Sequence, residues 1–261
     1  MDAKAVTAVM RIAKLKGPRK VLEAARHNRR DIQRENGATA SIDPQRMCLN
    51  EALYGRATAK EVAQHADQLM RAAGVGKLRK DAVMALEILF SLPAGHDLDE
   101  RAFFNDCWQW AAGEFGGAQN VLSADLHRDE AAPHCHVLLV PLVNGKMVGS
   151  ALVGGRAKLR AIQASFHAAV AARYGLRKAP ARLIGAAKLA GSKAVLKRLE
   201  QAADAALRSA VWPIIRECIE GDPTPFVAAL DVEIDSPQKK LRTMAQVFTS
   251  KGKGKAFEPA L

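Results

Sequence analysis

Apolar positions along the chain fall into short runs and helical stripes. Residues 5–12 (AVTAVMRI) form an apolar run that predicts a strand, with the basic cluster Arg11, Lys14, Lys16, Arg19 and Lys20 expected at its exit. Residues 82–92 (AVMALEILFSL) are almost continuously apolar and stop at Pro93, a length and boundary that favour a strand over a core helix. Two further apolar segments, 120–127 and 134–143, flank the polar connection RDEAAP and predict an antiparallel hairpin. Helical spacing appears in three places. Thr58 and Glu61 form a capping box ahead of Val62, Ala66, Leu69 and Ala73, and Gly74 ends that helix. Leu98, Phe103, Cys107, Trp110 and Ala111 predict a helix over 98–113; Leu159, Ile162, Phe166 and Val170 predict another over 155–174, stopped by Gly175.

Between these elements, residues 26–50 are polar and turn-rich, and read as a partly ordered segment running along the surface. Beyond about residue 178 the chain becomes alanine-rich and basic, with Leu196, Leu199, Ala203, Ala206 and Leu207 predicting a helical segment that breaks near Pro213. A proline-rich stretch over 221–237 leads to a last short helix opened by Ser236 and Pro237, then to a flexible basic tail, SKGKGK. No internal repeat of fixed period is found.

Composition narrows the function classes. About half of the 261 residues (49%) are apolar, enough for a sizeable core, which argues against a disordered or fibrous chain. Lys+Arg 39 against Asp+Glu 27 gives a net charge of +12, which favours a polyanionic partner, nucleic acid before an anionic membrane surface. Cys48, Cys107, Cys135 and Cys218 are scattered without a CxxC pair, pointing to a reducing compartment rather than a disulfide scaffold or zinc knuckle. No run approaches the roughly 20 apolar residues of a membrane span and no secretory leader is evident, so the expected location is cytoplasmic.

The densest chemistry lies in HRDEAAPHCH: His127, Glu130, His134 and His136 fall within ten residues. Side chains alternate across a strand, so His134 and His136 share a face while Cys135 points into the core. If the preceding strand pairs across the RDEAAP turn, His127 joins them in a three-histidine set, which leaves coordination positions open for substrate or water. The HRD string also occurs in kinase catalytic loops, but no DFG follows and no glycine-rich loop precedes it.

A second cluster, AARHNRR at 24–30, is followed by IDPQRMCLN at 42–50. Arg29 and Arg30 can contact phosphate bidentately, and His27 can transfer a proton or attack phosphorus. Beside a metal site this becomes coherent chemistry: a divalent cation polarises a phosphodiester and a basic segment presents the attacking side chain. Tyr54 and Tyr174 are the only tyrosines that compete for that role; Tyr174 reads as a packing residue, whereas Tyr54 stays open.

These residues resemble the Mob/Pre plasmid mobilisation proteins, the MobV-type relaxases of the HUH endonuclease group. The string His127-x-Asp129-Glu130-x-x-Pro133-His134-x-His136 is similar to the family's metal motif. His27-Asn28-x-Arg30, with Ile42-Asp43-Pro44-x-Arg46 and Leu49-Asn50, is similar to its nucleophile motif. Agreement extends over roughly residues 5–194. The resemblance implies an α+β fold with a central antiparallel sheet and flanking helices, consistent with the elements above, with residues 1–194 as the relaxase domain; the change in composition reads residues 195–261 as a helical C-terminal extension, an accessory region.

The implied activity is a site- and strand-specific nick in plasmid DNA at an origin of transfer, through a covalent 5′-phospho-histidine. His27 would be the nucleophile and His127, His134 and His136 would hold Mn²⁺ or Mg²⁺, while Glu130 would orient or deprotonate the nucleophile. Arg11, Lys14, Lys16, Arg29, Arg30 and Arg46 would track the DNA backbone, with Asn28 and Asn50 as base or phosphate contacts to single-stranded or hairpin DNA. Accessory transfer proteins and a second copy of the chain are further expected partners. Two other readings remain open: a DNA-binding initiator or repressor that uses metal for stability alone, and a phosphodiesterase that activates water.

Overall fold

The computed structural model describes residues 7–37, 39, 41–178 and 182–234. The chain divides into two compact units between Ala179 and Pro180.

The first unit contains eight strands: β1 (Thr7–Lys16), β2 (Glu51–Gly55), β3 (Val83–Ser91), β4 (Val121–His127), β5 (His134–Leu139), β6 (Leu142–Val143), β7 (Lys146–Met147) and β8 (Arg177–Lys178). Its helices are α1 (Lys20–Asn28), α2 (Asp31–Asn36), α3 (Ala59–Ala72), α4 (Glu100–Glu114), α5 (Gly149–Val153) and α6 (Arg156–Ala169). The main sheet has the order β2-β4-β5-β3-β1-β8. Pairing is antiparallel from β2 to β1, as expected, but β8 runs parallel to β1, so the sheet is mixed. β6 and β7 form a separate small hairpin, with β6 inside the stretch read as one strand over 134–143 and β7 just past it.

Strand alternation divides the core between the two faces of the sheet. Met10, Leu86, Ile88, Phe90, Leu126, Cys135 and Val137 pack on one side with Phe103, Phe104 and Cys107 of α4 and Ile162 and Phe166 of α6. The opposite side gathers Ala85, Leu122, Leu138 and Val140 under Val21 and Ala25 of α1 and Ala59, Val62, Ala66 and Met70 of α3. Every residue of β4 is buried, so the strand that ends in His127 is a rigid mount. At the edge, Gly55 has φ 103° and lies so close to β4 that a Cβ would come within 2.2 Å of the Leu122 carbonyl oxygen; only glycine closes that contact.

The capped helix holds as expected: Thr58 accepts from the Glu61 backbone N–H, and the Glu61 side chain returns the bond to the Thr58 backbone. Three expectations change. β1 continues to Lys16, so Arg11, Lys14 and Lys16 lie within the strand rather than past its exit. Much of the 26–50 segment is helical, because α1 and α2 occupy it; α1 has no side-chain cap at Arg19 and buries only Val21, Ala25 and Asn28, too thin a stripe to register as periodic.

The third change concerns the second unit, which contains α7 (Gly185–Gln201), α8 (Trp212–Gly221) and α9 (Thr224–Ala229). Pro213 opens α8 in its first turn instead of breaking a helix, and α9 sits within the proline-rich stretch. Val195, Leu199 and Ile219 form this unit's own small core. The expected domain boundary at 194 falls inside α7. The helix expected from Ser236 and the tail at 250–255 lie outside the described residues. Among the described residues, no helix is long and apolar enough to cross a membrane.

Candidate metal centre and the histidine beside it

The β4–β5 register places His127 directly opposite His134, and alternation along β5 brings His136 to the same face. The three rings converge, with centroids 5.0 Å apart for His127–His134, 4.9 Å for His127–His136 and 5.2 Å for His134–His136. One nitrogen of each ring lies within 4.8 Å of the others, a spacing that a single cation can span.

What the remaining nitrogens do fixes the chemistry of this set. His127 Nε2 donates to the backbone carbonyl of Asn28 at 2.7 Å, an acceptor left free by the C-terminal end of α1. His134 Nδ1 donates to the Ala132 carbonyl at 2.9 Å, and His136 Nδ1 donates to Glu87 Oε1 at 3.0 Å. Each imidazole is thereby oriented by a hydrogen bond on one side and presents a lone pair on the other, the support that metal-binding histidines need. His127 Nδ1 and His134 Nε2 face each other at 3.3 Å. With both partner nitrogens engaged to carbonyls, two lone pairs meet without a proton between them, a repulsion that a divalent cation would relieve.

Electrostatics agree. Burial, reinforced by the positive charge His136 and Arg30 would exert, drives the His127 pKa down to about 2. Burial also lowers His134. These rings stay neutral at neutral pH, the form that binds a cation.

His27 occupies the last turn of α1, its ring 5.7 Å from that of His136 and 6.5 Å from that of His127. Burial and then the neighbouring His136 lower its pKa, so it too is a neutral base. The turn that carries it is anchored by Asn28, which is only 3% exposed: its carbonyl takes the His127 bond and its side chain donates to Glu87 Oε1 at 3.3 Å. Burial alone would raise the Glu87 pKa, but the hydrogen bonds from His136 and Asn28 hold it below the usual carboxylate value.

One Glu87 oxygen thus fastens both the histidine-bearing strand β5 and the helix end that presents His27. Replacing Glu87 with Ala is expected to weaken Mn²⁺ binding by about 10–100-fold in calorimetric titration, the usual cost of removing such a support. An unchanged affinity would limit Glu87 to a packing role.

Several residues expected at a DNA surface are committed elsewhere. Arg30 is 2% exposed, and its guanidinium bonds Asp129 through Nε (2.8 Å) and Nη2 (2.6 Å) and Glu130 through Nη2 (2.7 Å). It is an internal strut and not a backbone-tracking side chain. Asn28 is buried as described, and Asn50 donates to Asp129 Oδ2 at 2.7 Å while accepting from the Arg128 backbone N–H at 2.8 Å. Asn50 is engaged at both ends, and burial keeps the Asn28 amide, whose Oδ1 has no hydrogen-bond partner among the described residues, from a base.

Arg29 is largely enclosed, with Nε 3.1 Å from Asp125 Oδ1 and Nη2 donating to the Arg56 carbonyl. Arg11 pairs across to Leu89, which pairs to His136, so it shares the histidine face and stays exposed. Lys14 and Lys16 pair with Leu86 and Val83 and project from the opposite face. Arg46 is exposed and donates to the Glu130 carbonyl at 3.2 Å, on the rim of the site.

Glu130 Oε1 stands 3.8 Å from His134 Nε2. Tyr54 stacks on Trp108 with centroids 4.5 Å apart and packs against the α4-side core, away from the histidines. Sequence reading assigned no role to Glu87, Asp125 or Asp129. Glu87 and Asp125 are each a lone charged residue within an apolar strand, which was the available signal; Asp129 stood only as a position of the motif string, between Arg128 and Glu130.

With this geometry in place, the relatives are informative. Residues 4–179 match the family model of the plasmid recombination enzymes, Mob_Pre. The plasmid recombination enzyme type 3 of Staphylococcus aureus is 28% identical over 193 residues, covering 69% of this chain and 45% of that protein. A 65 kDa protein of Zymomonas mobilis is 30% identical over 140 residues, covering 51% of this chain and 24% of that one. The chain spans less than half the length of these two curated relatives.

Among solved structures, the Mn-bound MobM relaxase domain in complex with plasmid pMV158 oriT DNA aligns with 66% of this chain and 89% of its own, at 27% identity and a TM-score of 0.55. On the extent of the family match and the shared fold, the chain belongs to the Mob/Pre plasmid recombination enzyme family.

Proposed function

We propose that the chain is a metal-dependent relaxase that nicks plasmid DNA at an origin of transfer and stays attached to the cut strand, acting in the cytoplasm where that DNA resides. The observation that carries the reading is the His27 ring packed 5.7 Å from the His136 ring, at the mouth of a three-histidine cluster. The fold shared with a Mn-bound, oriT-bound relaxase domain supports it. The nicking unit in this reading is the first compact unit, the part that the family model covers.

His127, His134 and His136 would hold one divalent cation; three imidazoles accept Mn²⁺ and, on donor chemistry alone, Zn²⁺ or Ni²⁺ as well. When bound, that cation supplies Lewis-acid stabilisation of the charge that grows on the phosphate oxygens. The protein's own groups perform the remaining work. The lone pair of a neutral His27 nitrogen attacks phosphorus, a nitrogen–phosphorus bond forms, the bond to the 3′ oxygen breaks with its electron pair leaving on that oxygen, and the 3′ oxygen takes up a proton from solvent while the other ring nitrogen of His27 releases its own. The product is a 5′-phospho-histidine, with a free 3′ hydroxyl able to reverse the step.

Glu130 places negative charge near His27 and so favours the positive charge the ring acquires as it attacks. Asn28 and Glu87 hold the His27 turn in register with the cluster. Arg11 and Arg46 are the exposed cations left to meet the DNA backbone.

The test is incubation with supercoiled plasmid carrying the protein's own locus, with Mn²⁺ or with a chelator, followed by a denaturing gel. The expected result is a Mn²⁺-dependent, acid-labile protein–DNA adduct. Nicking without an adduct would transfer the assignment to a water-activating phosphodiesterase. Binding of a verified origin without cutting would transfer it to a non-catalytic DNA-binding protein.

A further inference from the structure

Arg30 is an unusual residue by three measures. Its backbone is left-handed, with φ 59° and ψ 21°, a conformation that costs a non-glycine residue of order 1 kcal/mol or more. Its side chain is almost fully buried, and it grips two carboxylates at once. Those two carboxylates, Asp129 and Glu130, form with His127 a second set of donor atoms within 4.8 Å of one another.

The two acids are not equally fixed. Asp129 is fully buried, bonded through both oxygens to Arg30 and through Oδ2 to Asn50. Glu130 keeps 28% of its side chain exposed, and Arg30 Nη2 is its side-chain hydrogen-bond partner among the described residues, at 2.7 Å. Its Oε1 is 3.8 Å from His134 Nε2, the nitrogen that faces the cation position. Two donors bound to one ion at about 2.1 Å stand about 3.0–3.4 Å apart. The Glu130–His134 separation exceeds that ligand–ligand spacing by only about 0.4–0.8 Å, so a released Glu130 would reach the cation; it would close a four-coordinate ion such as Zn²⁺ and would take one of the open positions of a six-coordinate ion such as Mn²⁺.

We propose that Arg30 holds Glu130 off the cation, keeping the coordination positions a substrate phosphate needs. This rests on the metal-centre reading above. The guanidinium fork suits the task because it binds both acids in one fixed plane, which the single ammonium of a lysine does not reproduce. Arg30 is thus a positioning residue: it acts on the cation through Glu130.

The experiment is calorimetric Mn²⁺ titration of wild type, Arg30→Lys, Glu130→Gln and the double variant. Arg30→Lys keeps the positive charge, so a general charge effect is minimised. It is expected to bind Mn²⁺ about tenfold more tightly than wild type. The double variant should return to within about twofold of Glu130→Gln alone, since the gain comes from Glu130 as a ligand. An unchanged affinity in Arg30→Lys, or a gain that survives in the double variant, would overturn the proposal.

A second measurement needs only the milder Glu130→Gln change: water-proton relaxation of bound Mn²⁺. Wild type and Glu130→Gln should show the same number of coordinated waters. One additional water in the variant would mean that Glu130 is already a ligand, which overturns the proposal while leaving the metal centre intact. A wild-type protein that binds no Mn²⁺ would remove the metal centre itself.

Discussion

Replacing His27 with Ala should slow formation of the covalent protein–DNA adduct by about 10⁴-fold or more, equivalent to about 5 kcal/mol or more of lost transition-state stabilisation. Mn²⁺ affinity should stay within about threefold of wild type, because the three-histidine cluster is complete without His27 and each of its rings is oriented by other groups. The two results together carry the argument: an attacking group is needed for bond formation and not for loading the cation. Single-turnover assays on a denaturing gel, paired with calorimetric titration, would read both. Persistent nicking in the variant would place the attack on water. A drop in Mn²⁺ affinity beyond tenfold would make His27 a ligand instead of a nucleophile.

The largest stability effect is expected from Asp129→Ala, at about 3–5 kcal/mol. Asp129 has no exposed side-chain surface and Arg30 has 2%, so removing the carboxylate takes two of the buried guanidinium's three hydrogen bonds and leaves Glu130 as its one carboxylate partner among the described residues. Burial opposes the charged form of both residues, yet the hydrogen bonds from Arg30 and Asn50 hold the Asp129 pKa low, and those to Asp129 and Glu130 hold the Arg30 pKa high. Asn50 loses its acceptor as well, which loosens the loop that leads into β2. Urea denaturation monitored by circular dichroism gives the difference directly. Asp129→Asn, which keeps the shape and one acceptor, should lose less. A loss below 1 kcal/mol for the alanine variant would show that Arg30 finds another partner or reaches water.

The parts of this architecture that local pattern dictates were readable from the chain. The hairpin, the apolar strand at 83–91 and the capped helix depend on neighbours a few residues away, and alternation alone gathers His134 and His136 on one face. Helix α1 escaped because one of its three buried positions is the amide of Asn28, whose partner Glu87 is 59 residues distant. Arg30 read as a DNA contact because a basic residue in a basic run looks solvated; its partners lie 99 and 100 residues away. The site's long-range polar bonds are what a local reading misses, and they are also what sets the tautomers, the charges and the position of His27.

Cys135 is fully buried against the α4-side core, between two histidines that face the other way. A one-residue slip of β5 would drive both imidazoles into apolar packing and lift a thiol into their place. Packing therefore proofreads the chemistry: a chain that has buried its β5 strand well has, by the same act, aligned its histidines. Misassembled sites should be eliminated as unfolded protein and never persist as folded protein with a scrambled histidine cluster.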